Sequence, residues 1–288
     1  FIDRKEKIIT SNNFLLDITK NIFEAEGNVE IINLIKNYNL KSNNIIYFKN
    51  EERIISKGLT NALLNENYKF KSNQNLSIDL IDFEIKASGE VEFIDFDKKN
   101  KILTDEIYFY KDNEEIITEG KTEAKIENRF ILKSKNIFFS NKNRVIKSKN
   151  KASINDIEND SYYEIDNFYL SLEDEILKGE NISANTEYSQ PLNNKYFIKS
   201  GMFDLKNKSF LTQDISFHLK KDLFNNKKND PRLKGSSSSS KDGITVINKG
   251  IFTSCNKDDN DCPPWSIQAE KIIYDQNKEI ITYDNALL

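Results

Sequence analysis

The chain has few of the residues that usually punctuate a fold or carry chemistry: 4 prolines, 1 histidine, 1 tryptophan, 1 methionine and 2 cysteines in 288 residues. With one histidine, His218, and two cysteines there are too few ligands for a zinc site. Cys255 and Cys262 lie close together in a loop rich in Pro, Asp and Asn, which favours a disulfide in an oxidising compartment, within the loop or to a partner elsewhere. His218 follows a strand frame and reads as a rim residue. No apolar run approaches the roughly 18 to 20 residues that a membrane helix needs. The sequence holds no phosphate-cradling glycine loop, nucleophile elbow or metal-ligand spacing, so we expect no enzyme, no cofactor and no metal. Net charge is only −4, with both signs well mixed and no basic stripe, which argues against a nucleic-acid partner.

Glycine is scarce too, with 9 in all, but four of them are placed with regularity: Gly27, Gly58, Gly89 and Gly120 recur at intervals of 31 residues. Each sits in an alternating frame, such as Phe23/Ala25/Gly27/Val29/Ile31 or Ile85/Ala87/Gly89/Val91/Phe93. The opposite face is polar: Glu24, Glu26 and Glu30 in the first frame, Glu84, Lys86, Glu90 and Glu92 in the third. Such alternation predicts strands with one dry and one wet face, and a fixed period predicts one supersecondary unit stacked repeatedly. A fifth copy, Ile146/Ser148/Asn150/Ala152/Ile154, puts Asn where glycine belongs, and Asn tolerates a bulge or a left-handed backbone better than other side chains.

A second motif alternates with the first: a small residue, Ile three later, an aromatic two after that. It occurs as Ser42-Ile45-Tyr47, Thr104-Ile107-Phe109, Ser134-Ile137-Phe139, Thr212-Ile215-Phe217 and Ala269-Ile272-Tyr274. Each period therefore holds two strands. Glycine inside a strand marks a bulge or bend, so glycines in register predict a crease that folds every strand into two walls. The alternatives are an open trough, a closed sandwich with a filled core, and a parallel β-helix. The regular pattern runs through residues 1–219, residues 220–243 with their run Ser236 to Ser240 read as a loop or linker, and residues 244–288 read as further strands completing the roll. The chain ends just after a strand-like run, so a longer protein is expected.

Three segments near the end carry a resemblance: Asn229-Asp230-Pro231-Arg232-Leu233-Lys234-Gly235, Lys249-Gly250-Ile251-Phe252-Thr253-Ser254-Cys255, and Cys262-Pro263-Pro264-Trp265-Ser266-Ile267-Gln268-Ala269. Together they resemble the periplasmic part of the LptD family of outer-membrane lipopolysaccharide-assembly proteins, the paired cysteines and Pro-Pro-Trp being similar to its alphaproteobacterial branch. Upstream, Glu24-Ala25-Glu26-Gly27-Asn28-Val29-Glu30 resembles the OstA-like repeat that LptA, LptC and LptD share. The resemblance implies an all-β, antiparallel open β-jellyroll, or β-taco. It implies passive conduction of lipopolysaccharide at the periplasmic face of the outer membrane, with the lipid A acyl chains inside the roll. The lining would then be Phe23, Val29, Ile31, Ile54, Ile85, Ala87, Val91, Phe93 and Ile126. It further implies an LptA-like bridge protein docking near Lys7–Leu15, a downstream transmembrane barrel with its lipoprotein plug, and a disulfide from Cys255 to that barrel, with the partner of Cys262 open. The alternatives are a free-standing LptA-like bridge subunit and a structural β-solenoid that binds no lipid.

Overall fold

The computed structural model describes residues 2–3, 7–190, 193–220, 230–255 and 265–288. It is all-β and antiparallel, a roll of the jellyroll or taco type, with no helix among the described residues. Two compact units divide the chain between Arg144 and Val145.

Unit 1 contains β1 (Ile2–Asp3), β2 (Lys7–Thr10), β3 (Asn13–Asp17), β4 (Ile22–Asn33), β5 (Tyr38–Phe48), β6 (Arg53–Leu64), β7 (Tyr68–Ser72), β8 (Asn75–Asp79), β9 (Glu84–Asp95), β10 (Asn100–Tyr110), β11 (Glu115–Ile126), β12 (Phe130–Lys135) and β13 (Phe138–Ser140). From β4 onward each strand pairs with the next in a meander. β7 and β8 are two halves of one interrupted path, as are β12 and β13. Hairpin turns at 34–37, 65–67, 96–99 and 127–129 tip one wall, and those at 49–52, 80–83, 111–114 and 141–144 tip the other.

The crease lies midway along these strands, and its register explains both sequence motifs. Gly27-Asn28 of β4 and Gly58-Leu59 of β6 each stand opposite the single residue Asn43 of β5. Gly89-Glu90 of β9 and Gly120-Lys121 of β11 stand opposite the single residue Asp105 of β10. These are two-against-one bulges, which bend a strand sharply. All four glycines are left-handed, with φ between 77° and 86°. The glycine strands keep their inward alternation through the bulge. The partner strands, one residue short, must slip phase there, so Ser42 and Ile45 both face inward, as do Thr104 and Ile107. The small-x-x-Ile-x-aromatic motif is that slip.

Bulges leave ladder groups unpaired, and buried polar groups need partners. A spine of buried hydroxyls follows the crease. Thr60 Oγ1 bonds to Ser42 (3.0 Å) and Ser56 (2.8 Å), Thr104 to Thr122 (2.9 Å), and Thr122 to Thr118 (2.8 Å), whose Oγ1 accepts the Ile137 amide (2.9 Å).

Unit 2 contains β14 (Val145–Ser148), β15 (Ala152–Asp156), β16 (Ser161–Ser171), β17 (Ile176–Thr186), β18 (Asn194–Asp204), β19 (Ser209–His218), β20 (Arg232–Lys241), β21 (Ile244–Thr253), β22 (Ile267–Asp275) and β23 (Ile280–Leu287), again paired in sequence. Two expectations are corrected here. Asn150 does not replace glycine in a left-handed bulge: its φ is ordinary, and the strand stops at Ser148 and resumes at Ala152. Residues 220–243 are not one linker either, because Arg232–Lys241 is a strand. Serine is a poor strand former, yet β19 and β21 supply ladders on both sides, Leu233 and Ser238 point inward, and Ser238 bonds to Thr212 (2.6 Å). Left-handed residues of the crease in unit 2 are polar side chains instead of glycine: Asn167, Asn181, Asp214, Lys249 and Asn285, with φ from 47° to 52°.

Candidate functional site: the two interiors and their mouths

A creased sheet has an inner face between its walls and a mouth opposite the crease. Phe23, Val29, Ile31, Ile54, Ile85, Ala87, Val91, Phe93 and Ile126 all face the interior of unit 1, and none is more than 3% exposed. Glu24, Glu26, Glu90 and Glu92 lie on the outer face, three exposed and Glu92 half-buried. An unfilled lining at these nine positions is not what is found. The walls of unit 1 meet through an aromatic cluster. Phe109 of one wall lies 4.9 Å from Tyr68, 5.6 Å from Phe70 and 5.6 Å from Phe93 of the other, ring centre to ring centre. The period-two pattern fixes which residues point inward but not the distance between walls, and large aromatics facing one another close that gap.

The mouth of unit 1 is polar. Lys36 Nζ donates to the Leu80 carbonyl (2.6 Å) across the gap and pairs with Glu52 (3.4 Å). The Lys7 ammonium is buried, bonds to the Tyr47 hydroxyl and pairs with Glu52 (3.8 Å). Further along, Asn141 Nδ2 donates to Asp95 Oδ2 (3.1 Å), and Arg144 forms a two-pronged pair with Glu127 (2.6 and 3.0 Å).

Unit 2 is built differently at its mouth. A cavity of about 360 Å³ lies between the strand tips there, within the roughly 300–1,000 Å³ range of small-ligand sites. Its floor is Tyr163, Ala184, Tyr196, Phe203 and Phe210, and its rim carries Glu187, Asp204 and Lys208. Tyr163 and Phe203 approach edge to face at 5.4 Å from opposite walls, as do Tyr196 and Phe210 at 5.7 Å. Asn159 Nδ2 donates to the Leu205 carbonyl (3.0 Å), tying the two tips beside the cavity. Glu187 is paired with Lys220. A larger, shallow depression of about 780 Å³ at the crease of unit 2 is lined by polar residues, among them Asn167, Glu180, Gln213, Ser237 and Asn248, together with Met202, Leu211 and the aliphatic parts of the polar side chains.

Burial holds the Tyr274 phenol up to about 12, with the Glu279 and Glu187 carboxylates adding to it, and burial alone brings Tyr283 to about 12. Both lie above the ordinary phenol value of about 10. Their neutral forms therefore favour the fold fully below about pH 10, and that contribution disappears as pH rises through about 12. We expect unit 2 to lose stability over that interval, together with delayed phenolate absorbance. Ordinary titration of both tyrosines near 10, with stability unchanged, would contradict the burial assigned to them.

No family model matches the chain. No curated protein sequence matches it either. Among the described residues there is no cluster of three or more His, Cys, Asp or Glu side chains placed to hold a metal ion, and no helix long and apolar enough to cross a membrane.

The remaining sequence candidates sit at edges and ends. Phe14, Leu15, Leu16 and Ile18 are exposed on and just beyond β3, whose one ladder among the described residues is to β4. His218, half-buried, closes β19 opposite Arg232 and packs edge-on against Phe197 at 5.5 Å. Cys255 is half-buried just after β21, its amide donating to Thr253 Oγ1 (3.2 Å). Cys262, Pro263, Pro264 and Asn229 lie outside the described residues. Sequence reasoning missed the mouth residues, because Tyr163, Tyr196, Phe203 and Phe210 come from several strands and share no spacing. Their one signal was the clustering of aromatics at strand ends.

Proposed function

We propose that the chain shelters hydrocarbon chains inside a creased β-roll and serves as a periplasmic domain of the outer-membrane lipopolysaccharide translocon, passing the lipid from a periplasmic bridge protein toward a membrane barrel. The observation that carries this reading is the mouth of unit 2, where an aromatic floor lies beneath a rim of Glu187, Asp204 and Lys208. Such a site suits an amphiphile whose tail goes in while its head stays in water. Exposing an acyl chain costs about 0.8 kcal/mol per methylene, so a dozen methylenes crossing water face a barrier on the order of 10 kcal/mol. A roll removes that barrier without a nucleotide, provided that the push comes from elsewhere. The exposed apolar edge at β3 suits a bridge partner that adds a strand there. The segments that resemble the LptD family point the same way.

A photoreactive side chain in place of Phe210 is expected to capture lipopolysaccharide, and one in place of Ser239, on the polar strip at the crease, is not. Equal capture at the two positions, or none at Phe210, would remove the reading. A second reading, a structural roll that binds no lipid, is favoured by the filled aromatic interior of unit 1. It predicts no capture anywhere.

A further inference from the structure

The closed mouth of unit 1 is made of charge, and that choice of chemistry is informative. Lys36 on one set of tips reaches Leu80 and Glu52 on the other. Lys7, from strand β2 on the Lys36 wall, meets Tyr47 and Glu52. Asp95 and Asn100 on one wall meet Asn141 on the other at 3.1 and 3.5 Å, and Arg144 grips Glu127. Lys7, Asp95, Asn100 and Asn141 are all buried. The ion pairs among these contacts have at least one partner about a third exposed, so water screens them and they contribute little net stability. Apolar residues would seal the same gap at least as firmly. What polar tips offer over apolar ones is that water replaces their bonds when the walls part.

We propose that these contacts are a latch: unit 1 rests closed and filled, and parting the Lys7/Lys36–Glu52 and Asp95–Asn141 contacts is the step that admits a hydrocarbon chain between its walls. The latch rests on the hydrocarbon-carrying function above. It adds that the two units differ in their resting state, unit 1 shut by tip-to-tip bonds and unit 2 with a cavity already at its mouth. Glu52 is the central group, because both lysines converge on it. Without its carboxylate the buried Lys7 ammonium and Lys36 both lose the Glu52 charge that draws the two sets of tips together, and hydration of the lysines favours the parted walls.

The test uses the whole chain and a palmitate analogue carrying a diazirine, with labelled peptides read by mass spectrometry. In the unsubstituted protein the label is expected at the unit 2 mouth, on peptides holding Tyr196, Phe203 and Phe210, and only weakly on those holding Phe70, Phe93 and Phe109. Glu52→Lys, Glu52→Gln and Asn141→Ala should each raise labelling of the unit 1 peptides on the order of tenfold, the worth of about one charge-assisted hydrogen bond. Labelling of unit 2 should stay constant, and circular dichroism should show the β-fold intact. If unit 2 is labelled while unit 1 stays unlabelled in all three variants, the latch is refuted and the function stands. Equal labelling of both units without substitution also refutes the latch. An absence of label in both units overturns the function, and the latch with it.

Discussion

Replacing Gly120 with valine should destabilise unit 1 by about 3 kcal/mol. Two separate effects contribute. Its backbone is left-handed at φ 81°, which costs an L side chain about 1–2 kcal/mol. A Cβ there would also sit 2.2 Å from Asp105 Oδ2 and 2.8 Å from Asp105 Cβ, so the aspartate has to move, at an overpacking cost of about 1–3 kcal/mol. Moving it also breaks the bond by which Asp105 accepts the Lys121 amide (2.7 Å), one of the groups the bulge leaves without a ladder partner. In a compact unit of this size the thermal midpoint should fall by roughly 10 °C. Gly58→Ala is the control. Its φ is also 81°, but nothing lies within 4 Å of the added Cβ, so it should cost only about 1 kcal/mol. Equal losses at the two positions in thermal unfolding would mean that crowding at the crease plays no part.

Phe109→Ala should be at least as damaging, at about 3–5 kcal/mol. The ring is fully buried and touches Tyr68, Phe70 and Phe93 of the facing wall, so its removal opens a void where the two walls meet. Apolar voids stay dry and accept apolar guests. Adding palmitate to the variant should therefore restore part of the lost thermal stability, a gain larger than palmitate gives the unsubstituted protein at the same concentration through the mouth of unit 2. A loss below about 1 kcal/mol would show instead that the walls stand apart in solution and that Phe109 lines a hollow.

Sequence made the crease legible because its cause is local. Only glycine sits easily at the left-handed position of Gly27 or Gly89, and a 31-residue spacing repeats that requirement strand after strand. The inward residues were legible for the same reason, since period-two alternation is a property of one strand. Three features were not. Ser236–Ser240 carries no apolar alternation, and its strand exists because the neighbours β19 and β21 hold it. In unit 2 the bend passes to Asn167, Asn181 and Asp214, so a search for glycine loses it, while Gly235 remains for close packing: a Cβ there would lie 2.2 Å from Ile247 Cγ2. The mouths depend on how far apart two walls stand, and that distance follows from pairs such as Tyr68 with Phe109, whose members are too far apart in the chain for any window to join them.

Because one 31-residue period of unit 1 is an outgoing strand plus its return, inserting or deleting a whole period leaves every remaining side chain on its original face. Strands in a sheet lie about 4.8 Å apart, so such an edit changes the length of that roll in steps of about 9.6 Å. Gene duplication thus has a ruler built into this fold: the reach of the roll is adjustable by whole notches, with no new interior to invent.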